Sequence, residues 1–212
     1  MIRVFIADDH EVVRRGIKDI LSDEEDIELA GEASNAEEIM TQLYKKEWDV
    51  LILDITMPGK SGLDALIEIK QRKPEMKVLM LSIYPEEEVA LRAFNTGASG
   101  YLNKGIVPIE LVKAIRMIYK GGKYVSPSLA ESIVFSGNKN KDQLPHKLLS
   151  EREYQVMCLL VSGQSLSDIA AELFLSIKTV STYRTRVLEK MKMKSNVELA
   201  FYAMRHGLVV QK

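Results

Sequence analysis

Three aspartates, a serine and a lysine carry the chemistry open to this 212-residue sequence. Asp8 and Asp9 follow the apolar run of residues 2–7, Asp54 closes the run 49–54, Ser82 closes the run 77–82, and Lys104 lies just beyond the run 99–102. A lone carboxylate at a strand end is usually a solvated cap. Three at one edge need a cation, and an oxygen donor set completed by water suits Mg²⁺, held by Asp9, Asp54 and the backbone carbonyl of Thr56. A cation, a carboxylate, a hydroxyl and an ammonium can together surround a phosphoryl group. Asp54 would attack a phosphoryl donor to form an aspartyl phosphate, with Mg²⁺ and Lys104 neutralising the oxygens and Ser82 donating a hydrogen bond to one of them.

That chemistry requires strands that all end at one edge. Residues 2–7, 27–33, 49–54, 77–82 and 99–102 are short apolar or β-rich runs of strand character. Helical periodicity fills the intervals. Glu11 to Leu21 sets Val12, Val13, Ile17, Ile20 and Leu21 on one face, and Gly62 to Arg72 does so with Leu63, Leu66, Ile67 and Ile69; residues 35–46, 86–96 and 108–120 read alike. Parallel neighbours need crossover connections and two covered faces, so the expected fold is α/β, a doubly wound five-stranded parallel sheet. Ligands in such sheets bind beyond the carboxyl ends of the strands.

The pattern changes after Gly121-Gly122. Ser126 opens a short helix to about Phe135, and the polar, Gly- and Pro-punctuated stretch Ser136 to His146 is linker. Four helices follow, making a second, all-α domain. Ser150 and Glu153 form a capping box opening a helix to Ser162; Ser167 to Leu173 is a shorter one; Ser176 caps a third to about Lys190; Ser195 opens a fourth through Arg205, stopped by Gly207. The domains are therefore 1–122, a linker region 123–147, and 148–212. Residues 1–125 hold 17 basic and 22 acidic side chains, whereas residues 126–212 hold 12 and 8. The opposite signs point to different partners for the two domains.

Asp8-Asp9-His10, Leu53-Asp54-Ile55-Thr56-Met57-Pro58-Gly59, Ser82-Ile83-Tyr84 and Gly97 through Lys104 resemble the CheY-like receiver domain of bacterial two-component response regulators. The resemblance implies that Asp54 is the phosphoacceptor, that Asp8 and Asp9 organise magnesium, that Ser82 is the switch hydroxyl, that Lys104 contacts the phosphate and that Tyr101 is the switch aromatic. Phosphorylation would add charge towards which Ser82 turns, leaving room for Tyr101 to move inward. The surface formed by the helix at 86–96, the fifth strand and the helix at 108–120 would respond. Gly105 stands where the family often has proline. Thr56 and Tyr84 occupy positions that tune water access to the phosphoryl group. Neither is acidic or amide-bearing, so self-dephosphorylation is expected to be slow.

Residues 150–206 resemble the LuxR-type helix-turn-helix, and its attachment to a receiver marks the NarL/FixJ class of response regulators. The tight turn Phe174-Leu175-Ser176 is one by which a second helix is presented to a major groove. On the third helix Val180, Val187 and Met191 share one face; Lys178, Thr182, Thr185 and Glu189 fall opposite, with Ser181 beside them. Six basic residues stand against one acidic between Ser176 and Lys194, a surface suited to phosphates. Arg184, Arg186 and Lys190 are assigned to phosphates, Ser181, Thr182 and Thr185 to base edges, Lys178 to either, and Thr179 joins the DNA-binding set. The family usually has lysine where Ser181 sits and histidine where Tyr183 sits, so base preference should differ.

One cysteine, Cys158, excludes an internal disulfide and an all-cysteine metal cage. His10, His146 and His206 show no metal-ligand spacing; His10 neighbours the acidic cluster and the other two are expected at the surface. The N-terminus lacks the apolar segment of a signal peptide, and no run spans a bilayer, so a cytoplasmic protein without a membrane partner is expected. The leading reading is a regulator, not an enzyme, that accepts a phosphoryl group from a sensor histidine kinase and binds promoter double-stranded DNA. It would dimerise when phosphorylated, with RNA polymerase as a further partner. Val197, Ala200, Phe201 and Met204 form an apolar stripe whose main expected use is packing onto the other helices, with the dimer as a second use. The alternatives are a Mg²⁺-dependent phosphatase with Asp54 as nucleophile, weakened by threonine at position 56 where an acid-base Asp belongs, and a phosphorylation-independent transcription factor.

Overall fold

The computed structural model describes residues 1–45, 47–82, 86–105, 108–127, 129–131, 144–206 and 208, leaving the side chains of residues 86–88, 147 and 151 undescribed. Tyr84 and most of both the short helix and the linker expected around 126–146 fall outside these residues. The chain forms two compact units, Met1–Gly137 and Asn138–Lys212.

In the first unit β1 (Ile2–Ala7), β2 (Ile27–Ala33), β3 (Val50–Asp54), β4 (Lys77–Ser82) and β5 (Gly100–Asn103) alternate with α1 (Glu11–Ser22), α2 (Ala36–Gln42), α3 (Gly62–Arg72), α4 (Glu86–Thr96) and α5 (Pro108–Tyr119). The strands pair in parallel in the order β2-β1-β3-β4-β5. This is the doubly wound sheet expected from the alternating runs. The central strands are buried on both faces, which is why they read as continuous apolar stretches. The order reverses between β1 and β3, and such a reversal opens a crevice at the strand ends. Register sets the crevice: Ala7 lies beside Leu53, Asp54 beside Leu81 and Ser82 beside Asn103. Asp8, Asp54, Ser82 and Lys104 thus sit at or just past the ends of four adjacent strands.

Ile2, Val4 and Ile6 meet Ile17 and Leu21 of α1 and Ile115 and Ile118 of α5 in the core on one face of the sheet. Phe5 and Trp48 meet edge to face, 3.7 Å between centroids. Tyr124 returns to β5, donating its N–H to the Ser99 carbonyl at 3.0 Å and accepting that of Tyr101 at 3.3 Å. Three expectations need correction. Val12 is 84% exposed and Ile67 45% exposed, because the burying stripes are narrower and centre on Ile17 and Leu21, and on Leu63, Leu66 and Ile69. α2 stops at Gln42, not at residue 46, because wholly buried Leu43 caps it and the chain turns there.

The second unit holds a 3₁₀ turn (Pro145–Leu148) and then α6 (Glu151–Val161), α7 (Leu166–Glu172), α8 (Ile177–Met191) and α9 (Asn196–Arg205). Ser150 and Glu153 form the expected capping box. α7 begins one residue earlier than expected, at Leu166, since Ser165 and Asp168 form a second capping box ahead of Ser167. Val156, Leu160, Ile169, Leu173 and Val180 make the core. His146 is not a surface residue: it is 1% exposed, with Nδ1 hydrogen-bonded to the Tyr202 hydroxyl, because the 3₁₀ turn lays it against α9. His206 is exposed as expected. On α9 it is Leu199 and Ala203 that pack inward, while Val197, Phe201 and Met204 are each at least 60% exposed, so their main expected use in packing is overturned.

Phe174, in the turn between α7 and α8, has φ 53°, in the left-handed region, and is 68% exposed. A bulky side chain there costs about 1–2 kcal/mol and this one recovers little by burial. Phe174→Asn should stabilise the helical unit by about 0.5–1 kcal/mol, read as a later far-ultraviolet transition in urea. An earlier transition would mean that Phe174 contributes packing its exposure does not suggest.

Candidate functional site

The acidic site is made by strand ends. Asp8 and Asp54 are 0% and 1% exposed. Lys104 Nζ reaches Oδ2 of each at 2.8 Å, and its own backbone N–H donates to the Ser82 carbonyl at 2.7 Å, tying the loop after β5 to the end of β4. Asp8 Oδ1 accepts the His10 N–H at 2.9 Å, and His10 Nδ1 lies 2.8 Å from Asp9 Oδ1. Ligand atoms of Asp8, Asp9, His10 and Asp54 all lie within 4.8 Å of one another. Ser82 and Tyr101 are wholly buried, on β4 and β5. Gly105, in the position often held by proline, donates its N–H to Asn103 Oδ1 at 2.8 Å, which restrains the lysine loop.

Burial is the largest influence on Asp54 and pushes its carboxyl up, to about 7; the Lys104 ammonium pulls it down and the Asp8 charge raises it again. Burial opposes the Lys104 ammonium, but Asp54 and Asp8 outweigh it and hold its pKa above the ordinary lysine value. Among the described residues the two buried carboxylates share the Lys104 ammonium, and Asp54 has a further hydrogen bond from the Thr56 backbone. This excess of buried negative charge is the condition a divalent oxygen-seeking cation would relieve, so the donor set fits Mg²⁺.

Two residues of this site escaped sequence reasoning. Arg14 donates through Nη1 to the Asp8 carbonyl at 2.7 Å and through Nε to Glu32 at 3.4 Å, bracing the loop that carries the acidic pair. Its place one turn into α1, facing β2, was the only available signal. Gly62 begins α3 against the end of β3: a Cβ there would lie 1.9 Å from the Asp54 carbonyl oxygen. Nothing in local sequence announces such a contact.

The helical unit presents α8. Val180, Val187 and Met191 are buried, and Lys178, Thr182, Thr185, Arg186 and Glu189 are exposed, as the periodicity requires. Thr179 belongs to the helix cap, its N–H donating to Ser176 Oγ at 3.0 Å. Ser181 is half-buried. Arg184 donates through Nε to Asn196 Oδ1 at 2.8 Å. Lys190 Nζ donates to buried Glu153 Oε2 at 2.6 Å, so the residue assigned to phosphate is also a strut between α8 and α6. Burial works against the Glu153 carboxylate, but hydrogen bonds from Lys190 and Ser150 hold its pKa below the ordinary value.

Residues 4–116 match the response regulator receiver domain, and residues 147–203 match the bacterial regulatory proteins of the luxR family. The response regulator UvrY of Escherichia coli K12 is 39% identical over 209 residues, covering 98% of this chain and 96% of its own. The response regulator GacA of Pseudomonas viridiflava is 39% identical over 210 residues, covering 99% and 98%. Among solved structures, RcsB from Salmonella enterica serovar Typhimurium, bound to the promoter rprA in the presence of phosphomimetic BeF₃⁻, superposes with a TM-score of 0.67 at 28% identity, covering 96% of this chain and 99% of that one.

Proposed function

The chain belongs to the response regulators that join a receiver domain to a LuxR-family helix-turn-helix, DNA-binding regulators of transcription in two-component systems, and on that premise we propose that Asp54 is its phosphoacceptor. The observation that carries this is the buried Asp54 carboxylate meeting the Lys104 ammonium at 2.8 Å beside Asp8 and Asp9. Asp8, Asp9, Asp54 and the Thr56 carbonyl would hold Mg²⁺, which would supply charge neutralisation for the phosphoryl oxygens. Lys104 engages Asp54 Oδ2, leaving Oδ1 to attack; the phosphorus–nitrogen bond of the kinase phosphohistidine breaks as the phosphorus–oxygen bond forms, and the histidine keeps the electron pair. Lys104 then follows the phosphoryl charge, Ser82 turns to it, and Tyr101 responds.

The sensor histidine kinase and promoter DNA are the partners, with RNA polymerase a further one. Arg184, Arg186 and Lys190 face phosphates on the duplex, Ser181, Thr182 and Thr185 face base edges, Lys178 serves either, and Thr179 completes the surface. The exposed Val197, Phe201 and Met204 of α9 suit a second copy of the helical unit, which two half-sites require. Among the described residues no helix is long and apolar enough to cross a membrane; a cytoplasmic regulator, not an enzyme, is the reading. We place the receiver within 1–122, the connecting region at 123–147 and the DNA-binding domain at 148–212.

With a small phosphoryl donor and Mg²⁺, the wild type should take up one phosphoryl group per chain and bind promoter DNA more tightly, and Asp54→Ala should do neither. Labelling and tightening that persist in Asp54→Ala would overturn the assignment. Repeated turnover of phosphomonoesters would favour a phosphatase.

A further inference from the structure

The outward threonines of α8 keep their hydroxyl hydrogens inside the helix. Thr182 Oγ1 donates to the Lys178 carbonyl at 3.0 Å and Thr185 Oγ1 to the Ser181 carbonyl at 3.1 Å. These are the bonds a threonine makes four residues back along its own helix. Ser176 and Thr179 hydroxyls are joined at 2.7 Å at the helix start. A threonine so bonded offers a partner its methyl group and its remaining lone pairs, but no donor. Ile177 adds a third methyl-bearing side chain. It occupies the first position of α8 and is 55% exposed, at the end of a recognition helix that meets base edges.

Hydrogen-bonding readout of guanine takes a donor pair, and readout of adenine takes an amide. This surface holds no asparagine or glutamine between Ser176 and Met191; Lys178 is the cation in line with Thr182 and Thr185, while exposed Arg186 and half-buried Arg184 are the ones assigned to phosphates. Thymine alone carries a methyl group in the major groove, at C5, and that methyl is recognised by apolar contact. We propose that this chain selects its DNA through thymine methyl groups, contacted by Ile177 and by the methyls of Thr182 and Thr185. The proposal rests on α8 being the reading helix. It makes the base-edge contacts expected of Thr182 and Thr185 ones that need no donor.

Removing the methyl from the base and from the side chain tests this. The full chain, treated with Mg²⁺ and a small phosphoryl donor, selects duplexes from a random pool, and the selected duplex is remade with deoxyuridine for thymidine. The wild type should prefer the thymidine duplex by about fourfold for each contacted methyl, the worth of one methylene taken from water. Thr182→Ser and Thr185→Ser delete a methyl yet keep the hydroxyl and its helix bond. Each of these, and Ile177→Ala, should lower that preference, read as the ratio of affinities for the thymidine and deoxyuridine duplexes. Equal wild-type affinity for the two duplexes, or a preference that none of the three variants lowers, overturns the methyl reading and leaves DNA binding intact. Failure of the wild type to select any sequence overturns the reading helix and the proposal together.

Discussion

Gly62→Ala should cost the receiver unit about 3 kcal/mol or more and take phosphoryl uptake with it. The added Cβ would stand 1.9 Å from the Asp54 carbonyl oxygen and 2.8 Å from both the Asp54 carbonyl carbon and Ile55 Cα. All three obstacles are backbone, so no side chain can swing aside. Gly62 is also held in place, its N–H donating to the Ile55 carbonyl at 2.8 Å while Ser61 caps the helix that follows. Relief therefore means moving either the start of α3 or the end of β3, and the end of β3 carries Asp54. Gly16→Ala is the control: nothing lies within 4 Å of its Cβ position in α1, and alanine there should be neutral or stabilising by up to about 1 kcal/mol. Trp48, the single tryptophan, is buried against Phe5 in this unit, so its fluorescence in urea follows the receiver alone. A Gly62→Ala midpoint equal to that of Gly16→Ala, with labelling intact, would show that β3 and α3 separate easily.

In the absence of divalent cations the receiver should become more stable as the solution is acidified from pH 8 to pH 5. Burial raises the Asp54 carboxyl from 3.8 to about 7, so between those values the folded protein binds a proton that the unfolded chain does not. Stability is then greatest at the acid end of that window and falls as pH rises through the folded pKa, by an amount on the order of a few kcal/mol. The opposite dependence, from carboxylates held low such as Glu38 and Glu153, sets in only as pH falls below the ordinary carboxylate range. Trp48-monitored midpoints of the chelator-treated protein should rise on acidification, and Asp54→Asn should abolish the rise. Mg²⁺ should restore stability at pH 8 in the wild type far more than in Asp54→Asn. A wild-type profile flat from pH 5 to 8, or one unaltered in Asp54→Asn, would mean that Lys104 fully compensates the buried charge.

The parallel sheet was legible because each strand is a short apolar run between helical periods, and the acidic site followed because parallel strands bring their carboxyl ends to one edge. Asp54 and Lys104, 50 residues apart in sequence, meet for that topological reason. The helix starts were legible at Ser150, Ser176 and Ser195 because a cap is a local hydrogen bond between a side chain and an N–H three residues on. Contacts that depend on how elements lean were not legible. Periodicity put Val12 with Ile17 on one face, but only the packed sheet decides how wide the buried stripe is. Gly62 against Asp54 and Lys190 against Glu153 are meetings of separate elements, and each residue taken alone fits a bland local role. His146 looked like a polar residue near a linker, and its burial needs Tyr202, 56 positions away.

Tyr124 lies just beyond α5, yet it is the residue whose backbone covers the outer edge of β5. A fragment ending at Gly122 would retain every strand and helix of the sheet and still leave the Ser99 carbonyl and the Tyr101 N–H bare along an otherwise apolar strand. Bare edges of that kind recruit strands from other molecules. Two residues of chain, more than any feature of the acidic site, would decide whether an excised receiver stays dispersed or self-associates edge to edge.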